Sequence, residues 1–272
     1  MELKQARLLI GLALVMTLAL AIASYYGAFV SATYARDSAS MGAQGMGQDM
    51  FDLFVVVPLL MISLAFTLRD NRIAFFLFSG TVLYVLYSYV IYAFGVHFNS
   101  LFLLYCVLLG TSLYSFLLAV FKLKGMQVQR WFGDRAPIRA TGVYLIVTAL
   151  LFYLLWLKDV VPAIVNNSLP ATVADNGLLV NPVHVLDIAV ALPGLVITAV
   201  LLLRKHELGY IFAPILLVFT VLLALALIAM VIVLKVRGIS EDISVAGIFV
   251  ILAAISAALL YLFLGSMRVE GD

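Results

Sequence analysis

Eight long apolar stretches constrain this chain more than any other feature of its sequence. They run at about 8–30, 51–68, 73–95, 100–121, 139–158, 183–203, 209–235 and 243–266. A helix needs about 20 mostly apolar residues to cross the hydrocarbon core of a bilayer. Inside lipid every backbone N–H and C=O must be satisfied by the chain itself, so only helices and closed barrels can span it. Nothing in this sequence alternates with the two-residue period of a barrel strand. The stretches therefore predict an all-α, polytopic integral membrane protein with eight transmembrane helices. Composition agrees: 65% of the 272 residues are hydrophobic and 11% are charged, against about 25% charged in soluble domains. The first stretch follows the basic MELKQAR. It exceeds the roughly 7–15 apolar residues of a signal peptide, and it reads as a retained first span.

Lys and Arg orient the spans, because loops rich in them stay in the cytoplasm. With the N-terminus inside, twelve Lys and Arg residues fall on the cytoplasmic side, and Arg36, Lys158, Lys235 and Arg237 fall outside. Both termini are thus expected in the cytoplasm and the protein in the plasma (cytoplasmic) membrane. The long segments 31–50 and 159–182 and the turns GVHFNS and VRGISED then face outward. The first long segment, rich in Gly, Ala and Ser, reads as a mobile loop. No segment between spans is large enough for a soluble domain. The net charge of +2 gives no reason to expect a nucleic-acid partner. The one cysteine, Cys106, allows no intrachain disulfide and reads as a packing residue.

Asp52, Pro58 and Arg69 recur as Asp187, Pro193 and Arg204 at a constant shift of 135 residues. Asp, Pro and Arg are scarce here, so their joint recurrence outweighs any match among Leu, Val and Ile. The same shift places span 1 on span 5 and span 3 on span 7. It predicts two parallel-oriented four-helix repeats (4+4): 1–125, a cytoplasmic linker at 126–138, and 139–272. An even number of spans per unit makes both units cross in the same direction. Each Pro leaves a carbonyl in need of another donor.

The candidate site residues follow from this repeat. Asp49 corresponds to His184 and Asp52 to Asp187; each pair is spaced i,i+3 and shares a helix face. Ionisable residues in spans usually face the bundle interior. Together Asp49, Asp52, His184 and Asp187 could bind a divalent metal or share protons. The milder alternative is acids placed near helix N-termini by the helix dipole. His97 and Asn99 lie in an outward turn. Tyr84 and Tyr87 lie deep in span 3, where their hydroxyls need partners and could line a polar cavity; Tyr92 and Tyr89 suit an aromatic belt, and Tyr105 follows in span 4. Phe219 and Leu222 stand opposite Tyr84 and Tyr87 in the repeat, in an almost wholly apolar span 7 expected to face lipid. Met41, Met46 and Met50 could in principle hold Cu(I); without nearby His or Cys, chance spacing explains them. No metalloprotease, hydrolase, Walker or dinucleotide fingerprint occurs.

Three functions remain open on the sequence. The first is a membrane transporter or ion- or proton-coupled carrier, with an outward-facing polar site between spans 2 and 6. The second is a membrane-embedded, metal-dependent enzyme acting on a lipid or lipid-linked substrate at the outer leaflet. The third is a non-catalytic receptor or assembly subunit. The expected partners are the lipid bilayer and a small solute, ion or lipid, with homo-oligomerisation open.

Overall fold

A computed structural model describes residues 3–240 and 242–268, and no side chain before Arg7. The outermost residues at both ends, Glu241 and the side chain of Lys4 lie outside the described set. Within it the chain is helical. Eight helices are long and apolar enough to cross a membrane. They are α1 (Leu3–Phe29), α2 (Ala39–Thr67), α3 (Arg72–Gly95), α4 (Phe102–Leu123), α5 (Ile138–Val165), α6 (Pro182–Leu203), α7 (Glu207–Val236) and α8 (Ser244–Gly265). The architecture is that of a multi-pass membrane protein. Among the described residues, one antiparallel bridge joins Phe132 to Met267.

The helices match the apolar stretches except where their ends are polar. α2 begins at Ala39, so most of the expected loop 31–50 is helix. Its start is set by Ser38, whose hydroxyl accepts the Met41 N–H at 3.1 Å, as N-cap serines do. Gly, Gln and Met in this segment conceal the helix from a hydropathy scan. α5 likewise runs on through Pro162 to Val165.

The chain divides into two compact units. The first holds the residues up to Lys124 together with Pro214–Tyr261. The second holds Gly125–Ala213 and the segment from Leu262. This division differs from the sequence halves 1–125 and 139–272, because most of α7 and α8 joins the first four helices.

In the first unit α1 packs on α2 and α4, and α3 packs on α2 and α4. α3 is the most buried span, with Phe76, Phe78, Tyr84 and Tyr89 fully enclosed. α7, expected toward lipid, is instead an interior helix: Ile215, Leu217, Ala224 and Ala226 are fully buried. Gly80 admits Val218, and a side chain at Gly47 would stand 2.7 Å from the Met230 backbone. A helix that is apolar all round suits a buried position as well as a lipid-facing one, so composition cannot tell them apart. Small residues at these contacts let helices approach closely, which drives packing where lipid removes the hydrophobic effect.

In the second unit α5 packs along α6, with Gly142 facing Leu203. Phe132 stacks between Tyr210 and Phe263, at 5.7 and 4.9 Å between ring centroids. Glu207 accepts the Val128 N–H at 3.2 Å.

Candidate functional site

The spans that carry Pro58 and Pro193 widen at the same place. α2 is α-helical over Ala39–Phe51, π-helical over Asp52–Val56 and α-helical again from Val57. α6 is α-helical over Pro182–Leu186, π-helical over Asp187–Ala191 and α-helical from Leu192. Pro58 and Pro193 have no N–H to give. The ladder therefore slips by one residue, with Val57 N–H bonding Asp52 C=O and Leu192 N–H bonding Asp187 C=O. In that wider register each proline faces a carbonyl it cannot serve, on Leu53 and on Ile188. The Tyr153 hydroxyl of α5 serves Ile188, donating at 3.2 Å. Single π-turns of this kind recur at functional sites, and each begins on a conspicuous Asp.

In the first unit those acids sit in a tyrosine-lined interior. Asp49 is 1% and Asp52 0% exposed. The Tyr34 hydroxyl donates to Asp49 Oδ2, and the Tyr84 hydroxyl donates to Asp52 Oδ1 at 2.8 Å. Asp52 Oδ2 is buried without a hydrogen-bond partner. Neither carboxylate pairs with Lys, Arg or His among the described residues. Around them Tyr89, Tyr92 and Tyr105 touch one another, at 5.1, 5.3 and 5.9 Å between centroids. Tyr92 donates to the Gly45 carbonyl at 3.3 Å. Asn99 reaches this group through its amide, which donates to the Tyr105 hydroxyl at 3.3 Å. Tyr89 and Tyr92 thus line the interior rather than a belt, and Tyr105 is buried with them.

The segment between α1 and α2 closes over Asp49. Tyr34 lies across α2 where it carries glycines: a side chain at Gly45 would meet the Tyr34 ring at 2.8 Å. Gly27 of α1 leaves room for the Asp49 carboxylate itself. Burial, then the adjacent Asp49 charge, pushes the Tyr34 phenol well above the usual tyrosine range, so it stays a donor. Asp37 takes His97: its Oδ1 accepts the His97 backbone N–H at 3.0 Å and faces Nδ1 at 2.9 Å. Tyr87 turns elsewhere, its ring edge-on to Phe219 at 5.2 Å.

The second unit holds the other two candidates. Asp187 is 6% and His184 5% exposed. The Trp156 indole N–H donates to Asp187 Oδ2 at 2.7 Å, and the same ring lies 4.7 Å from the His184 ring. His184 Nε2 has no hydrogen-bond partner and stands 3.9 Å from Asp159 Oδ2, which accepts the Thr172 hydroxyl at 2.8 Å.

No group of three or more His, Cys, Asp or Glu side chains able to hold a metal occurs among the described residues. Of Met41, Met46 and Met50, Met46 accepts from Arg237 at 3.1 Å through sulfur. Cys106 is exposed, not packed.

Sequence reasoning passed over Tyr34, Asp37, Trp156 and Asp159. Tyr34 and Asp37 lie in what reads as a mobile loop. Trp156 is one of two tryptophans, and its indole N–H near a buried acid was the available signal. Compared with protein-family models, curated proteins and solved structures, the chain finds no match.

Proposed function

We propose that the protein is a carrier of a small solute coupled to protons or to a small cation, with Asp49 and Asp52 as the coupling acids. One observation carries the reading: two carboxylates one helical turn apart, both buried within a span, with no cationic side chain as partner among the described residues. Removing a carboxylate from water without a counter-charge is strongly unfavourable. A proton or a small cation supplies that charge and can leave again. Ionisable groups inside spans mark ion and proton paths. Asp52 Oδ2 and the Tyr89 hydroxyl make no well-formed hydrogen bond, with Gln48 beside the first and Ser24 beside the second.

The two π-turns also support the duplication, since each starts on the aligned Asp and precedes the aligned Pro. Within this reading the chain is a pair of parallel four-helix repeats in the cytoplasmic membrane. The Lys and Arg distribution supports inward termini and an outward face for residues 30–38 and 96–101.

The test is flux into sealed vesicles holding the purified protein. An imposed pH gradient and an imposed sodium gradient are followed with dyes inside the vesicle, across a panel of small solutes. Wild type is expected to dissipate one gradient when its solute is added. Asp52→Asn abolishes this movement, and Asp52→Glu retains part of it. Flat traces under both gradients from folded wild-type protein would sink the proposal.

A further inference from the structure

We propose that residues 30–38 form a gate over the Asp49–Asp52 pair, with Tyr34 as its plug and the Asp37–His97 contact as its latch. The purpose of a gate rests on the carrier reading above; its existence does not.

The segment is anchored at four points on its neighbours. The Thr33 hydroxyl donates to the Tyr26 carbonyl at 2.9 Å, continuing the end of α1. Tyr34 donates to Asp49. The Arg36 guanidinium donates to the Phe98 carbonyl at 2.7 Å. Asp37 holds His97 by ring and backbone. The last two tie the segment to the turn between α3 and α4. Only the Tyr34 anchor reaches the carboxylate pair.

The plug is seated rather than merely nearby. Gly27, Gly42 and Gly45 form its seat: a side chain at Gly42 would stand 3.2 Å from Tyr34 Cβ, and one at Gly27 would strike both Asp49 and the Tyr34 hydroxyl. A phenol seated on a carboxylate is replaceable, since water can donate the same hydrogen bond once the segment lifts. The latch is held on one side only. Asp37 Oδ1 meets both the backbone N–H and the ring Nδ1 of His97, while its buried Oδ2 has no hydrogen-bond partner. A segment with a few hydrogen-bonded anchors and no regular secondary structure opens at lower free energy than the helices it joins.

The experiment is carboxyl labelling of the reconstituted full chain with a water-soluble carbodiimide and an amine, read peptide by peptide by mass spectrometry. Asp49 and Asp52 in wild type should label slowly. Asp37→Asn and His97→Ala should each speed labelling of both by about tenfold, the factor that about 1.4 kcal/mol of lost latch corresponds to. Arg36→Ala removes only an exposed anchor and should speed it by a smaller factor. Asp187 is the internal standard, since a true gate leaves its rate alone. Unchanged Asp49 and Asp52 rates in all three variants overturn the gate, and so does a parallel rise at Asp187, which would mean general loosening. Labelling needs no solute. A working gate with flat flux removes the carrier alone, and flux through ungated acids removes the gate alone.

Discussion

At the scale of single residues, what Gly27 lacks matters more than what it contributes. Its missing Cβ is the space that the Asp49 carboxylate and the Tyr34 hydroxyl occupy. Gly27→Ala should therefore destabilise the protein by about 1–3 kcal/mol, as overpacking does, and lower the melting temperature in detergent. Gly110 is the control, with no atom near its virtual Cβ; Gly110→Ala should leave the folding stability unchanged or raise it by up to about 1 kcal/mol. A drop at both positions would show that the melts report helix contacts in general. The acids themselves were legible, because Asp is rare in an apolar chain. Their partners were not. Tyr34 stands 15 residues from Asp49 along the chain and Tyr84 32 residues from Asp52, and only folding brings them together.

At the scale of elements, the two widened turns show how far a spacing can be read. The sequence gives Asp and Pro at matching positions in spans 2 and 6, and the need for a substitute donor. The answer, a one-residue slip with Tyr153 capping Ile188, depends on a neighbouring helix. It yields a coupling prediction. Tyr153→Phe should cost about 1 kcal/mol, the contribution of one such hydrogen bond. In a Pro193→Ala background, where the backbone N–H is restored, the same change should cost little. A double-mutant cycle on thermal melts measures this; equal costs in both backgrounds would show that Tyr153 does not serve that carbonyl. Helix lengths were legible only where apolar. The first turns of α2 are polar and escaped notice, although Ser38 caps them as a helix start requires.

At the scale of the whole molecule, eight apolar helices make a multi-pass membrane protein. Its outward apolar residues, such as Leu150, Leu154, Val190 and Ile251, suit contact with lipid chains. The Lys and Arg bias makes a sidedness prediction. In a Cys106→Ser background, single cysteines at Ser100 and Gln129 should label from opposite faces of the membrane, Ser100 from outside. Labelling of both from one face would remove the assigned topology. The interior place of α7 makes another. Val218→Phe, at a site 2% exposed, should cost about 1–3 kcal/mol in folding stability, whereas Val190→Phe, at 61% exposed, should be tolerated. The sequence alone determined that the chain is helical and spans a membrane, since hydrocarbon admits no other use of runs so long and so apolar. It also determined which acids are out of place there. The tertiary structure decided which apolar helix is interior and which hydroxyls meet the acids. Both depend on contacts between residues far apart in the chain, where small residues let backbones approach, and no periodicity or composition records that.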